Sequence, residues 1–510
     1  MIKTVLNPSI LRTVGIILSA LMSFLTVRWA YFKILRIAKD KNLVDNPDAR
    51  KLQKKPIPVM GGIAVFIGVV AGMLIGASFN AIVGLDSMMV LLPILLGMVV
   101  MLYIGAMDDI VGLSPGSRFL IEILTLLGLI FASGLCVDSC HGLWGVEGFN
   151  WWVAVPLTIF GGVGIINAIN MIDGVNGLSS GLCISCCILF GLAFLLAGDL
   201  VNTVLAFVVV AALVPFFFHN VFGNRSRMFI GDAGTMMMGV LLTWFVIALL
   251  NSDVALWKAF FGHDTNLIAL ALAILSVPIF DTVRVMFMRI IHRKSPFHPD
   301  KTHLHHVFVS MGVSHSVTSA SEITINLFMV GVWVVLVVCG VPLDWQLYII
   351  ILVSLLLVWG IYFLFHWHET HHTELMHKLA RASINTQHGH KEWWQRIERW
   401  LDGPEAEPEE IVIEKPKTER SYEDFYRFDV IDPNNYKEHD RKCIYGFMKG
   451  LAEVYVDDIK RRSGANPLRV DAIIDEGIID GFIFVIKEGV WGAPMIVSLM
   501  EHKMENEKKG

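Results

Sequence analysis

Charge is scarce in this chain. Asp, Glu, Lys and Arg make up 17% of its 510 residues, whereas hydrophobic residues make up 55%. An ordinary soluble domain carries about 25% charged residues. With a mean hydropathy of +0.60, so much apolar surface cannot be hidden inside a water-facing globule, and a disordered chain is excluded by the same figures. Basic excess is also missing. The net charge is −5, which argues against a nucleic-acid binder. Cysteine is too sparse for a disulfide scaffold, with seven in all. Cys183, Cys186, Cys187 and Cys339 lie in apolar runs, where cysteine behaves as a small hydrophobe. Cys136 and Cys140 flank a loop and could pair in an oxidising compartment. No cleavable signal peptide is evident, because the first apolar run is long enough to span and no A-x-A-like site follows it. Internal repeats are absent. What remains is an all-α, polytopic membrane protein.

The few charges are unevenly spread. Positions 367–510 hold about 21 Lys and Arg against about 28 Asp and Glu, so a nearly neutral apolar body carries an acidic, soluble tail. A membrane-spanning helix needs about 20 mostly apolar residues. About eleven such segments are expected, near 11–32, 59–79, 88–107, 119–136, 151–169, 178–197, 200–218, 234–251, 266–288, 323–341 and 346–366. Three parts follow: a transmembrane domain over 1–366, a His-rich juxtamembrane helix and Pro/Glu-rich linker over 367–420, and a small soluble extension over 421–510.

Lys and Arg mark the cytoplasmic loops. Lys33, Arg36, Lys39, Lys41, Arg50, Lys51, Lys54 and Lys55 follow the first span, and Arg118, Arg225, Arg227, Arg289, Arg293, Lys294 and Lys301 lie on the same side. The opposite loops hold only Lys258. An odd number of spans then puts the N-terminus outside and the tail in the cytoplasm. On this map the unusual polar residues all fall on the cytoplasmic face.

Asp108 and Asp109 end the third span within Gly105-Ala106-Met107-Asp108-Asp109. Adjacent carboxylates repel unless a cation is near, which suits magnesium or substrate-base work; acids also simply mark a helix–water boundary. Asn167, Asn170 and Asp173 recur in steps of three, sharing one helical face, and Gly174 and Gly177 flank Asn176. Such a strip suits a nucleotide base, a sugar or a metal-bound water, or is a helix end with an Asn/Gly turn. Asp232 stands in Phe229-Ile230-Gly231-Asp232-Ala233-Gly234-Thr235, either as a helix N-cap or with room for a hydrated Mg²⁺ and a phosphate. His298, Lys301, His303, His305 and His306 crowd one loop and suit anionic phosphates; zinc is the rival, though no Cys accompanies them. Pro56-Ile57-Pro58-Val59-Met60-Gly61-Gly62 follows a basic stretch that could attract anionic lipid headgroups. His368-Glu369-Thr370-His371-His372 matches H-E-x-x-H, but no catalytic domain surrounds it.

These stretches, in this order between about Leu43 and Gly312, resemble the polyprenyl-phosphate N-acetylhexosamine-1-phosphate transferase superfamily, of the glycosyltransferase 4 type. The loop containing His303-Leu304-His305-His306 resembles the GlcNAc-1-phosphate branch; the peptidoglycan branch typically shows three consecutive histidines. The resemblance implies transfer of an N-acetylhexosamine-1-phosphate, GlcNAc-1-phosphate foremost, from a UDP-sugar to undecaprenyl phosphate at the inner membrane, as the first lipid-linked step of a cell-envelope glycan. It implies Mg²⁺, with Mn²⁺ as a substitute. Asp232 would be the leading metal ligand, with Asp108 and Asp109 in the catalytic centre. Asn167, Asn170, Asp173 and Asn176 would meet nucleotide or sugar, His303, His305 and His306 diphosphate and sugar, and Lys54 or Lys55 phosphate. A homodimer is compatible with it. The rivals are the UDP-MurNAc-pentapeptide transferase of peptidoglycan synthesis and, in another class, a transporter, which would place its polar groups near the bilayer midplane.

Overall fold

The computed structural model describes residues 8–45, 56–80, 91–295, 302–371 and 392–402, together with residue 378 and discontinuous stretches between 436 and 499. The chain divides into two compact units, Met1–Glu405 and Ala406–Gly510.

The first unit is a bundle of long apolar helices. In chain order they are α1 (Pro8–Asp40), α2 (Gly61–Asn80), α3 (Leu91–Val111), α4 (Pro115–Ser133), α5 (Trp151–Met171), α6 (Leu178–Leu196), α7 (Leu200–Phe222) and α8 (Gly231–Leu250). A short α9 (Val254–Phe261) precedes α10 (Leu267–Ile274) and α11 (Ser276–Ile291). Then come α12 (Leu304–Ser310), α13 (His315–Val338), α14 (Leu343–Ser354) and, across a π turn, α15 (Gly360–Thr370). After a gap in the description, α16 (Glu392–Asp402) closes the unit. The middle of the bundle is α8. It is almost wholly buried and packs against α2, α3 and α5. Leu92, Leu96, Tyr103, Phe131, Trp152 and Phe160 expose their side chains instead, the apolar-outward surface a bilayer requires.

Ten helices among the described residues are long and apolar enough to span, or eleven if a sharply bent pair is one span. The expected segment near 266–288 is two helices, α10 and α11, meeting at 78°. Pro278 is the physical cause. It has no N–H to offer the carbonyl of Ile274 four residues back, and its ring collides there. Asn326 of α13 supplies the missing donor: its Nδ2 donates to the Ile274 carbonyl at 2.7 Å, while its Oδ1 accepts from Val277 N at 3.2 Å. Backbone groups freed inside a membrane need such a partner. The first expected span, 11–32, is also longer in the structure. Lys33, Arg36 and Lys39 are helical residues of α1 rather than loop residues.

Cys136 and Cys140 are free thiols. The H-E-x-x-H stretch runs off the described residues after His371.

The second unit has its own small core, including Ile444, Met448, Ile459, Val470, Ile474, Ile483 and Val497. Its helices are α17 (Tyr436–Met448) and α18 (Val456–Arg462). Three strands, Val454–Tyr455, Ile483–Lys487 and Ile496–Leu499, form an antiparallel sheet with the last strand in the middle.

Candidate active site at the helix ends

The site is assembled by backbone-to-backbone approaches that only glycine allows. A Cβ on Gly105 of α3 would collide with the Asp232 carbonyl and the Ala233 nitrogen, so the end of α3 is laid directly on the start of α8. Gly231 has φ +71°, a conformation that other residues rarely adopt. A Cβ there would also lie 2.5 Å from the Val59 carbonyl and 2.6 Å from Asp109 Oδ2. The Pro58–Gly62 segment is stitched to the same place. Phe229 N donates to the Pro58 carbonyl at 2.7 Å, and Gly61 N and Gly62 N donate to the Phe229 and Ile230 carbonyls, each at 2.9 Å. Three sequence motifs thus become one scaffold.

On that scaffold the three aspartates have three different environments. Asp109 caps α8 from a neighbouring helix. Its carboxylate accepts from Asp232 N at 3.1 Å and Ala233 N at 3.2 Å, where the helix dipole favours an anion. Asp232 is therefore not the N-cap; it sits in the first turn of α8. Asp108 accepts from Leu113 N at 2.6 Å and from Arg118 Nη1 at 2.7 Å. Asp232 Oδ1 accepts from Asn170 Nδ2 at 2.8 Å, and its Oδ2 is 3.8 Å from Arg118. Arg118 Nη2 also donates to Asn170 Oδ1 at 3.1 Å, and Asn170 Nδ2 to Thr235 Oγ1 at 2.9 Å. One guanidinium fork therefore binds the first and second motifs and reaches toward the third. Arg118 enters the sequence reading only as a topology-marking charge, and Thr235 only as a residue of the Asp232 motif, with no role assigned.

Asp173 lies beyond the end of α5 and accepts from Ser179 Oγ at 2.6 Å. Enclosure by protein pushes its carboxyl up to about 6; the Ser179 bond opposes this, and the charges of Asp232 and Asp45 add to it. By surface area the residue is nevertheless exposed. Asn176 N meets His315 Nδ1 at 3.4 Å, and its carbonyl accepts from Ser319 Oγ at 2.9 Å.

The histidine loop reaches the same neighbourhood. A Cβ on Gly174 would stand 2.6 Å from His305 Nε2, so the imidazole edge rests on the backbone beside Asp173. Burial, and then the neighbouring His306 and His303, hold His305 well below the ordinary histidine range. It is a neutral ring, with Nδ1 unpaired. The rings of His305 and His306 are 4.4 Å apart. His303 is fixed by Asp281 of α11, Nδ1 to Oδ2 at 2.8 Å. Asp281 also accepts from Arg284 Nη2 at 2.7 Å, and Arg284 lies 3.5 Å over the Tyr362 ring. The Asp281–Arg284 pair is absent from the sequence reading. Two ionisable groups in an apolar segment are the signal that could have found it.

Asn167 is not brought to this cluster. It lies one turn deeper, buried, and donates to Glu122 Oε2 at 2.7 Å and the Val163 carbonyl at 2.9 Å. Lys54 and Lys55 lie outside the described residues.

Residues 91–250, which hold Asp108, Asp109, Asn170, Asp173 and Asp232, match glycosyl transferase family 4. The chain is 33% identical over 305 residues to a probable undecaprenyl-phosphate N-acetylglucosaminyl 1-phosphate transferase of Bacillus subtilis (strain 168), covering 60% of this chain and 80% of that protein. It is 28% identical to the undecaprenyl-phosphate alpha-N-acetylglucosaminyl 1-phosphate transferases of Yersinia pestis, over 55% of this chain and 73% of the relative, and of Escherichia coli (strain K12), over 57% and 75%. An identity of one in three over four-fifths of a relative, with the site inside the matched family segment, places this chain in glycosyl transferase family 4.

Proposed function

We propose that the chain transfers GlcNAc-1-phosphate from UDP-GlcNAc to undecaprenyl phosphate and releases UMP, at the cytoplasmic face of the cell membrane. The observation that carries this reading is the convergence of Asp108, Asp109, Asp232 and Arg118 at the ends of apolar helices. A lipid phosphate resides at that depth, and a transporter would instead place its polar groups near the midplane. The cytoplasmic assignment is supported by the one-sided distribution of Lys and Arg in the loops.

The chemistry is a phosphoryl-centred displacement. An oxygen of the lipid phosphate attacks the β-phosphorus of the donor. The bond from that phosphorus to the oxygen it shares with the α-phosphate breaks, and the electron pair leaves with UMP. The attacking oxygen becomes the bridge of a new phosphoanhydride between the lipid phosphate and the sugar phosphate. Such reactions demand positioning and charge neutralisation more than covalent help. Arg118 supplies a fixed guanidinium fork, which suits phosphate oxygens. Asn170 and Asp173 offer hydrogen-bonding groups for nucleotide or sugar. His305, whose charged form burial disfavours, can donate to the donor, and His303 is anchored beside it by Asp281.

Magnesium belongs to this reading, and the residues fit it. Among the described residues no three His, Cys, Asp or Glu side chains make a cage on their own. Mg²⁺ takes one or two carboxylates and completes its shell with phosphate oxygens and water. Asp232, with its side chain 36% exposed, would hold it, with Asp108 and Asp109 adjacent. Bound there, the ion would neutralise phosphate charge and polarise the donor diphosphate. Manganese would substitute.

The test is to incubate purified protein with undecaprenyl phosphate, MgCl₂ and a panel of UDP-sugars, and to score lipid products by mass. UDP-GlcNAc should give a lipid-diphospho-HexNAc. Product from UDP-MurNAc-pentapeptide alone would move the protein to the peptidoglycan branch, and no product from any donor would refute the reading.

A further inference from the structure

One helix outside every recognised motif touches the loop that delivers Asp232. Helix α16 has an apolar stripe of Trp393, Trp394, Ile397, Trp400 and Leu401 against charged residues elsewhere. It docks on the end of α7. The Trp394 ring lies 4.6 Å from that of Phe222, and Arg28 of α1 sits 5.4 Å over Trp400. Trp394 and Leu401 are buried.

Asp402, the last residue of α16, is oddly placed by local rules. A carboxylate at a helix C-terminus opposes the helix dipole. Here the cost is offset from outside the helix. Asp402 accepts from Asn224 N at 3.1 Å, Arg225 N at 2.9 Å and Ser226 N at 3.0 Å, and from the Ser226 hydroxyl. Successive backbone N–H groups of this kind form an anion-binding nest. Burial opposes the charge of Asp402, yet the Ser226 hydroxyl and the backbone donors outweigh it and hold the carboxyl below its ordinary range.

The nest occupies the first half of the loop between α7 and α8. Tyr31 Oη donates to the Ser226 carbonyl at 2.8 Å, and Asn220 Nδ2 to the Met228 carbonyl at 3.0 Å. The second half runs through Phe229 and Ile230, clamped to Pro58, Gly61 and Gly62, straight into Gly231 and Asp232. We propose that α16 is a strap and Asp402 a positioning residue, fixing the 224–230 loop so that Asp232 is presented ready for a divalent cation and the donor diphosphate. This rests on the function proposed above. It assigns a role in catalysis to a segment beyond the residues that carry the family resemblance.

The test uses the full-length protein in lipid nanodiscs, comparing wild type, Asp402→Ala, Asp402→Asn and Trp394→Leu; the last loosens the helix at its contact with Phe222 and leaves the Asp402 carboxylate in place. Amide hydrogen exchange of the 221–233 segment is the readout that needs no activity. Asp402→Ala should accelerate exchange about tenfold or more through Ala233, with Asp402→Asn intermediate, since it keeps one acceptor oxygen. UMP release against MgCl₂ is the second readout. The half-saturating Mg²⁺ concentration should rise about fivefold or more in Asp402→Ala, the scale of one lost cap, with turnover at saturating Mg²⁺ changed less than about twofold. Trp394→Leu should move both readouts in the same direction. Exchange unchanged, or accelerated only at 224–226, would overturn the proposal, as would a fall in turnover with no shift in Mg²⁺ dependence. If wild type releases no UMP, the proposed function fails and the exchange result alone decides the strap.

Discussion

Replacing Asp232 by Asn separates charge from shape at the centre of this site. The amide is the same size as the carboxylate. Its oxygen can still accept from Asn170 Nδ2, now 2.8 Å from Oδ1. The helix start is untouched, because Asp109 rather than Asp232 caps it. A negative charge beside Asp108 and Asp109 is removed, which relieves repulsion, while the 3.8 Å approach of Arg118 to Oδ2 is long and partly exposed, so little attraction is lost. Stability should stay within about 0.5 kcal/mol of wild type, the range of most surface changes. Turnover should fall at least about a hundredfold, which is about 2.7 kcal/mol of barrier and within what a metal ion supplies in such reactions. The assay is UMP release against Mg²⁺ concentration, with thermal unfolding measured on the same preparations. A mutant with near-normal rate and unchanged Mg²⁺ dependence would refute the assignment and move the metal to Asp108 and Asp109.

Three further outcomes are expected. Arg118→Met should reduce kcat/KM about a hundredfold, and Arg118→Lys should recover only part of it, because an ammonium cannot hold Asp108 and Asn170 as a fork does; a fully active lysine variant would show that charge alone suffices. Gly105→Ala should destabilise the protein by about 1–3 kcal/mol, the usual cost of overpacking, because its methyl group meets the backbone of Asp232 and Ala233; an unchanged melting temperature would contradict the packing described. A chain ending at Gly403, which keeps α16 and removes the second unit, should retain substantial transferase activity in detergent; a folded but inactive product would make the second unit part of the catalytic machinery.

The spans were legible because hydropathy is a sum over composition, and a helix crossing lipid must satisfy that sum. Direction is not contained in such a sum. The segment near 266–288 reads as one span, yet Pro278 breaks it, and the residue that makes the break tolerable, Asn326, lies on another helix. The site divides in the same way. Asp108, Asp109, Asn170, Asp173 and Asp232 stand out because polar residues at apolar helix ends are costly and need a reason. Arg118 carries no such mark, since a basic loop residue is also what topology requires; only the fold shows its fork meeting Asp108 and Asn170. Asn167 shows the reverse failure. Its spacing places it on the face of Asn170 and Asp173, but periodicity does not give depth, and one turn further in it meets Glu122 instead.

The contrast among the three aspartates explains why a cation would settle at one of them. Asp108 is neutralised by a guanidinium and a backbone N–H. Asp109 spends both oxygens on the N–H groups that open α8, so losing it would cost a helix cap as well as a charge. Asp232 has one amide donor at Oδ1 and only a distant guanidinium at Oδ2, and it is the more open of the two carboxylates that face Arg118. Asp108 and Asp109 are thus tied into the scaffold, while Asp232 keeps the more open oxygen. A divalent cation bound at Asp232 under the proposed function would not be enclosed, and a phosphoryl transferase would need the unfilled positions for the phosphates of both substrates.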